Sequence, residues 1–191
     1  MPLMYFSDLD LIKTQCNLDD SFVADDTLLL TLFENEAVVH AQNRTRRYLT
    51  ATALTEELDE FPVGAIPLAA NLNSVTSIKY FTDASASEQT LATDQYEVKT
   101  KPMVGLVRPA RYCYWPAGAY KITIAYNAGY GTDAGQTPVP APIQVWLLAA
   151  IATKYANREI ATIGQGQAQA VELPSKIFDD LLDMYAVPVV P

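Results

Sequence analysis

The chain has 191 residues, of which 50% are apolar and 18% are charged, a composition typical of a folded soluble protein. Its net charge of -9 argues against a protein that wraps nucleic acid over most of its surface, because neutralising phosphates requires an excess of Lys and Arg. A local basic strip is still compatible with this charge. The length predicts one domain over residues 1–191, or a domain that carries an inserted subdomain.

The cysteines, the histidine and the first residues bear on location and on cofactors. The N-terminal residues lack the basic and apolar regions of a secretory signal, which favours synthesis in the cytoplasm. Cys16 and Cys113 lie far apart in the sequence, and we expect two free thiols. His40 is the only histidine, so a multi-histidine metal site is not expected. The sequence predicts neither a metal nor a cofactor.

Helical periodicity marks the N-terminal part of the chain. Apolar residues at helical spacing predict a first helix over residues 8–15. An apolar stripe with four-residue spacing predicts a second, longer helix over residues 27–48. The members of this stripe are Leu29, Phe33, Ala37 and Ala41.

The longest uninterrupted apolar segment lies at residues 138–161. Pro142 suits the first turn of a helix, so we expect a helix over residues 142–160, buried nearly all round at its start. The segment is too short and too rich in small residues for a membrane span. A mobile loop is predicted over residues 162–171, because its glycines and glutamines cannot form a core. A last helix is predicted over residues 174–186.

Between the helices, residues 50–130 alternate between apolar and polar side chains and predict a β insertion of about four to six antiparallel strands. The cleanest strand spans residues 120–126, with Tyr120, Ile122, Ile124 and Tyr126 expected on one face. Further strands are predicted at residues 53–58, 75–82, 95–100 and 103–108, and residues 83–89 as a hairpin connection. The expected fold class is α+β, mainly a helical bundle of about four helices with an inserted small antiparallel β subdomain.

Two groups of basic residues are candidates for binding. Arg44, Arg46 and Arg47 end the second predicted helix, where they complement the helix dipole or contact phosphates or a partner's carboxylates. The first interpretation is preferred. A second group lies at residues 108–119 and comprises Arg108, Arg111, Tyr112, Tyr114 and Trp115. Such residues stack on bases or form protein interfaces, and the acidic chain favours an interface or simple packing.

The sequence has no phosphate-binding loop, nucleophile elbow or paired-histidine helix, so we do not expect an enzyme. One carboxylate cluster comprises Asp19, Asp20, Asp25 and Asp26. It lacks the bend glycine and the closing glutamate of a calcium loop. We expect Asp25 or Asp26 to cap the following helix. A carboxylate-dependent hydrolase would have to use this cluster, and this remains the alternative from another class.

Four short motifs follow one another in the C-terminal half of the chain. They are YNAGY at residues 126–130, PAPI at 140–143, YANRE at 155–159, and LP at 173–174 followed by LL at 181–182. Together with the order of predicted elements, these motifs resemble the head-tail connector proteins of tailed bacteriophages, also called head-completion or adaptor proteins. The resemblance covers nearly the full chain, although the N-terminal half matches only in pattern.

The resemblance implies a non-enzymatic structural protein of the virion, made in the bacterial host cytoplasm and encoded by a phage or a prophage. Such a connector docks under the portal protein after DNA packaging, forms a homo-oligomeric ring and binds the next adaptor or tail protein. The acidic chain would let packaged DNA pass through the lumen without specific binding. No membrane partner is implied. The alternative in the same class is a tail-terminator or tail-assembly adaptor.

A candidate assembly interface follows from this resemblance and from the basic and loop segments. We expect it to use Arg44, Arg46, Arg47, Trp115, Arg158, Glu159, Gly164, Gln165, Gly166 and Gln167.

Overall fold

Helices lie towards both ends of the chain and strands lie between them in the computed structural model, which describes residues 9–19, 21–82, 85–101, 103–133, 135–156 and 175–188. The helical segments are α1 Leu9–Gln15, α2 Asp26–Thr31, the π-helical segment Leu32–Val38, α3 Val39–Thr45, α4 Ala141–Ala156 and α5 Ser175–Asp183. The strands are β1 Thr52–Glu60, β2 Ile66–Leu68, β3 Leu72–Thr82, β4 Ser85–Thr90, β5 Tyr96–Thr100, β6 Gly105–Pro109 and β7 Ala119–Ala128.

The chain forms two compact units. The helical unit comprises Met1–Arg46 and Val139–Pro188, and the β unit comprises Arg47–Pro138. Strands hold about 31% of the described residues, so the α+β class is confirmed and the expectation of mainly a helical bundle is wrong. The reason is that backbone pairing extends the strands beyond their alternating stretches, to nine residues in β1 and ten in β7. That residues 1–191 form one connector-like domain stays a prediction.

The long second helix ends earlier than its apolar pattern suggests. Segments α2, Leu32–Val38 and α3 are contiguous, and the four predicted stripe residues are all buried. The helix ends at Thr45 and not at residue 48, because Arg46 adopts left-handed geometry with φ 55°. The Arg46 amide donates to the Gln42 carbonyl at 2.7 Å, which satisfies an end carbonyl of α3.

Helix α4 buries one side only. Ile143, Trp146, Leu147 and Ile151 are buried at helical spacing, whereas Val145 is 53% exposed. The expectation of burial nearly all round is therefore wrong, since only the face toward the neighbouring helices is covered. The predicted end of this helix at residues 157–160 and the loop at 162–171 lie outside the described residues. No helix among the described residues is long and apolar enough to cross a membrane.

The β unit contains two antiparallel sheets. The four-stranded sheet has the order β1-β7-β3-β4 and the three-stranded sheet the order β2-β6-β5. One hydrophobic cluster draws on both sheets, with Ile78 of β3, Val107 of β6 and Ile124 of β7 fully buried. Strand β7 lies between two partners, and its inward side chains Ile122 and Ile124 are fully buried.

The inward face of β7 begins one residue away from its predicted position. Ile122, Ile124 and Tyr126 are buried as expected, but Tyr120 is 38% exposed and Ala119 is buried instead. Lys121 has φ 49°, and the pairing of β3 with β7 shifts register in this part of the sheet. This irregularity reverses the alternation of faces, because side chains of a regular strand change sides at every residue.

Two strands escaped prediction. Residues 83–89 were expected as a hairpin connection, but β4 spans Ser85–Thr90 and pairs with β3. Its sequence is almost entirely polar, and the pairing of such an edge strand depends on backbone hydrogen bonds that leave no pattern of apolar residues. Strand β2, Ile66–Leu68, has only three residues, too few for an alternation to be visible.

Candidate functional site

Arg44 joins the end of α3 to α5. Its Nε lies 2.6 Å from Asp183 Oδ1 and its Nη2 lies 2.8 Å from Asp183 Oδ2, while Asp179 is 3.9 Å away. Both partners of the two-bond pair are exposed to solvent. The hydrogen bonds from Arg44 hold the pKa of Asp183 below its ordinary value. The arginine predicted as a partner contact therefore binds an acidic helix of its own unit.

Arg46 holds the chain that follows α5. Its Nη1 donates to the Val187 carbonyl at 2.9 Å, and the Val187 amide donates to the Thr45 carbonyl at 2.9 Å. The side chain of Arg46 remains exposed. Arg44 and Arg46 thus combine an internal contact with accessible guanidinium surface, which leaves their role at an assembly interface as a prediction.

Arg47 lies inside the β unit and is only 5% exposed. Its Nη1 donates to Asn71 Oδ1 at 2.7 Å, and its Nη2 lies 3.0 Å from Met103 Sδ. Asn71 precedes β3 in a left-handed conformation with φ 53°. Burial leaves Arg47 little surface for a partner, so this side chain positions the start of β3.

A mainly apolar cavity of about 600 Å³ opens in the helical unit. Its walls come from α1, the π-helical segment, α3, α4 and α5. The His40 ring stacks on Trp146 at a centroid distance of 5.2 Å, and Trp146 Nε1 donates to Asp179 Oδ1 at 3.3 Å. The sequence did not predict this cavity, because the residues that line it come from helices that are distant in sequence.

The carboxylates near α2 have structural partners. Asp19 accepts a hydrogen bond from the Ser21 hydroxyl and amide, which lowers the pKa of Asp19. Asp25 occupies the predicted N-cap position of α2, but its side chain makes no hydrogen bond to a helix amide. Its carboxylate instead accepts a hydrogen bond from the Tyr155 hydroxyl at 2.6 Å. The adjacent Asp26 carboxylate lies 2.8 Å from the buried Lys13 ammonium. Asp20 lies outside the described residues, among which no group of three or more His, Cys, Asp or Glu could hold a metal ion.

Trp115 fixes the aromatic loop, residues 110–118, to the loop that follows β1. Its Nε1 donates to the Gly64 carbonyl at 2.9 Å, and its ring stacks on Phe61 at 4.7 Å with an interplanar angle of 4°. The Cys113 amide donates to the Ala110 carbonyl at 2.9 Å and closes a turn within the loop. Trp115 is half-buried, so it positions this loop more than it presents a surface.

The loop also exposes Tyr112 and Tyr114, which belong to the predicted aromatic and basic group at residues 108–119 but were not included in the candidate assembly interface. Tyr112 is 84% exposed and Tyr114 86% exposed, and Val63 on the neighbouring loop is fully exposed. The Arg111 guanidinium lies 4.8 Å from the centre of the Tyr112 ring. We call Val63, Arg111, Tyr112 and Tyr114 the aromatic patch. Alternation could not have found them, because they lie in loops between strands.

Arg108 lies beside this patch but is neutralised within β5 and β6. Its Nη2 lies 2.8 Å from Glu97 Oε2, and the hydrogen bond lowers the pKa of Glu97. Gly64, Arg108 and Arg111 line one shallow hollow of about 410 Å³. The remaining predicted interface residues, Arg158, Glu159, Gly164, Gln165, Gly166 and Gln167, lie outside the described residues.

The sequence matches no protein-family model and no curated protein. The fold, in contrast, matches solved structures along nearly the whole chain. A chain from the neck of an empty gene transfer agent (GTA) particle, computed with C6 symmetry, has a TM-score of 0.70 and 18% identity, covering 96% of this chain and 91% of that one. A chain from the virion of a native GTA particle has a TM-score of 0.71 and 16% identity, covering 100% and 94%.

A third match comes from the neck of a native GTA particle computed with C12 symmetry, with a TM-score of 0.68, 16% identity, and coverage of 100% and 93%. The three matches agree on one architecture that includes both the helical unit and the β unit. The chain therefore has the fold of proteins found in the necks and virions of gene transfer agent particles.

Proposed function

We propose that this protein is a structural component of the neck of a phage-like particle, the head-tail connector that joins capsid to tail. The observation that carries the proposal is the fold match with neck and virion chains, which extends over 96–100% of this chain at TM-scores of 0.68–0.71. A match of that extent includes both the helical unit and the β unit.

The sequence motifs support the proposal independently of the structural match. YNAGY ends β7 and includes Gly129, which has φ 119°, and PAPI contains the start of α4 at Ala141. YNAGY thus forms the exit from the sheet within the β unit, and PAPI forms the entry into α4 within the helical unit. The chain passes from one unit to the other between these motifs, at residues 138–139. Their resemblance to connector motifs concerns residues that determine this architecture.

Several copies of the protein form a ring in the proposed arrangement. The neck structures that match were computed with sixfold and twelvefold symmetry. By analogy, a ring of this chain docks under the portal after DNA packaging and presents its opposite side to the next adaptor or to the tail. The net charge of -9 would reduce adhesion of DNA passing through such a ring.

The proposed role is non-enzymatic, and the protein ends in the virion after synthesis in the host cytoplasm. The carboxylates that a hydrolase would have to use have partners within the protein. Asp25 accepts a hydrogen bond from Tyr155, and Asp26 forms an ion pair with Lys13. These pairs support a structural interpretation of the acidic segment before α2.

Deletion of the gene from a particle-producing strain tests the role. The proposal expects DNA-filled heads and separate tails, and joined particles should return when the gene is supplied in trans. Joined particles formed in the complete absence of the protein would contradict it. A tail-terminator or tail-assembly adaptor would instead be found on isolated tails, so labelling of the protein in separated heads and tails distinguishes the alternative.

A further inference from the structure

The aromatic patch is an unusual surface for a small β unit. Tyr112, Tyr114 and Val63 are exposed, and the Arg111 guanidinium lies over the Tyr112 ring. The hydrogen bond from Trp115 to Gly64 joins the two loops that carry these residues. Tyrosine and arginine are enriched at the energetic centres of protein interfaces. Several large exposed apolar side chains on two joined loops are typical of a binding site.

The loop that carries this patch is held in shape. Tyr112 has φ 67°, a conformation that is costly for a bulky side chain. The stack of Phe61 on Trp115 and the turn closed by the Cys113 amide fix the backbone on both sides of it. A loop ordered before binding loses less conformational entropy when a partner docks.

The charge of the patch favours a protein partner over DNA. Arg108 is paired with Glu97, whereas Arg111 makes no ion pair with any carboxylate in the described part of the chain. A single unpaired cation contributes little to DNA binding, because the affinity of a protein for DNA grows with each phosphate that it neutralises. A carboxylate-bearing protein surface needs only one or two such cations together with aromatic contact area.

Strand β1 offers a surface of that kind. Glu56, Glu57, Asp59 and Glu60 are exposed along five residues of this strand. Leu54 and Leu58 pack against the hydrophobic cluster, so Glu57 and Asp59, at alternate positions, lie on the outward face. Within the described ranges none of the four carboxylates makes an ion pair, and β1 is an edge strand of its sheet.

We propose that the aromatic patch of one copy docks on the acidic outward face of β1 of the next copy. The inference rests on the proposed ring, in which each copy must present two different and complementary surfaces to its neighbours. Arg111 lies against the carboxylates of Glu57 and Asp59, and Tyr112 and Tyr114 cover the strand between them. Charged edge strands resist backbone pairing, so side chains make this contact.

Sedimentation velocity of the purified full chain over a concentration series tests the contact. The wild-type chain self-associates, and added salt weakens the association because the contact includes charge pairs. The double variant Tyr112→Ala/Tyr114→Ala weakens association by tenfold or more, as expected for two central aromatic residues. Arg111→Glu weakens it as well. Lys101→Glu makes the same charge change at an exposed residue outside both surfaces, at the far end of the β5–β6 pair from Arg108, and leaves association unchanged.

A charge exchange identifies the partner surface. Glu57→Arg alone weakens association, and Glu57→Arg combined with Arg111→Glu restores it, since the pair then has reversed signs. Circular dichroism confirms that each variant keeps the wild-type thermal transition. A wild-type chain that stays monomeric throughout, or a charge exchange that restores nothing, overturns the inference. Salt-sensitive binding of a duplex DNA oligonucleotide that Arg111→Ala abolishes overturns it by assigning the patch to DNA.

The same variants separate this inference from the proposed function. If the protein is found in the neck of purified particles, but Arg111→Glu changes neither particle yield nor self-association, the proposed contact is wrong and the connector role is retained. If the protein self-associates through the aromatic patch but is absent from the neck, the connector role is wrong and the proposed contact is retained.

Discussion

Arg44 and Asp183 are 139 residues apart in the sequence, yet they form a two-bond ion pair with N to O distances of 2.6 and 2.8 Å. The pair links the last turn of α3 to the last residue of α5. The β unit is inserted between these two segments. The helical unit is therefore closed by contacts between the N-terminal and C-terminal parts of the chain.

Replacement of Asp183 by Asn should lower the stability of the helical unit in a pH-dependent way. The ion pair holds the pKa of Asp183 below its ordinary value of 3.8. A lowered pKa contributes stability that is present above pH 3.8 and is lost as the pH falls through the folded-state value. Denaturant midpoints of wild type and D183N should differ modestly at pH 7, because the pair is exposed, and should converge in acid.

The matched control for this prediction is Asp180→Asn, which removes an exposed carboxylate one turn earlier that has no hydrogen bond to Arg44 in the described residues. Its effect at pH 7 should be smaller. A difference between wild type and D183N that stays constant from pH 7 to pH 2.5 would contradict the assigned role of the ion pair.

Two neighbouring positions on α4 should respond very differently to truncation. Leu147 is 1% exposed, so Leu147→Ala should lower the free energy of unfolding by about 2–5 kcal/mol through lost burial and a new cavity. Val145 is 53% exposed, and Val145→Ala should stay within about 0.5 kcal/mol. Urea unfolding followed by circular dichroism measures both. Equal costs at the two positions would mean that α4 is buried all round.

Gly129 should not tolerate a side chain. Its φ is 119°, and a Cβ there would lie 2.1 Å from the Thr50 carbonyl oxygen. Gly129→Ala should therefore destabilise the β unit by about 1–3 kcal/mol or more. The control is Gly64→Ala, because no atom lies within 4 Å of a Cβ at that position. A melting temperature for Gly129→Ala equal to that of Gly64→Ala would show that the sheet exit is not constrained as described.

Removal of the Arg47 side chain should destabilise the β unit, because this charged residue is buried and not on the surface. Arg47→Ala leaves Asn71 Oδ1 without its 2.7 Å donor, at a cost of about 1–3 kcal/mol. Lys101→Ala removes an exposed cation from the same unit and should cost less than about 0.5 kcal/mol. If the Arg47 variant were as stable as wild type but defective in particle assembly, Arg47 would be an interface residue after all.

The elements that the sequence predicted are those in which burial repeats with a regular period. The stripe Leu29, Phe33, Ala37 and Ala41 is buried as expected, and Ile122 and Ile124 lie inward on β7. The failures occur where the backbone departs from regular geometry. Left-handed Arg46 ends α3 early, and Lys121 reverses the faces of β7, because side-chain pattern carries little information on a single positive φ.

The candidate surface was only partly predictable for a related reason. The sequence placed aromatic and basic residues together at residues 108–119, but it selected Trp115, which is half-buried against Phe61. Which aromatic side chain faces solvent depends on the long-range hydrogen bond to Gly64, 51 residues away. Local composition can predict such a loop, and tertiary contacts decide which of its residues are presented.

The position of the protein in the assembled particle tests the central claim most directly. Cryo-electron microscopy of purified particles, without imposed symmetry at first, should reveal a ring between capsid and tail into which the helical and β units fit, with this chain repeated around the axis. Particles whose neck density fits neither unit, or that contain this chain only elsewhere, would contradict the account.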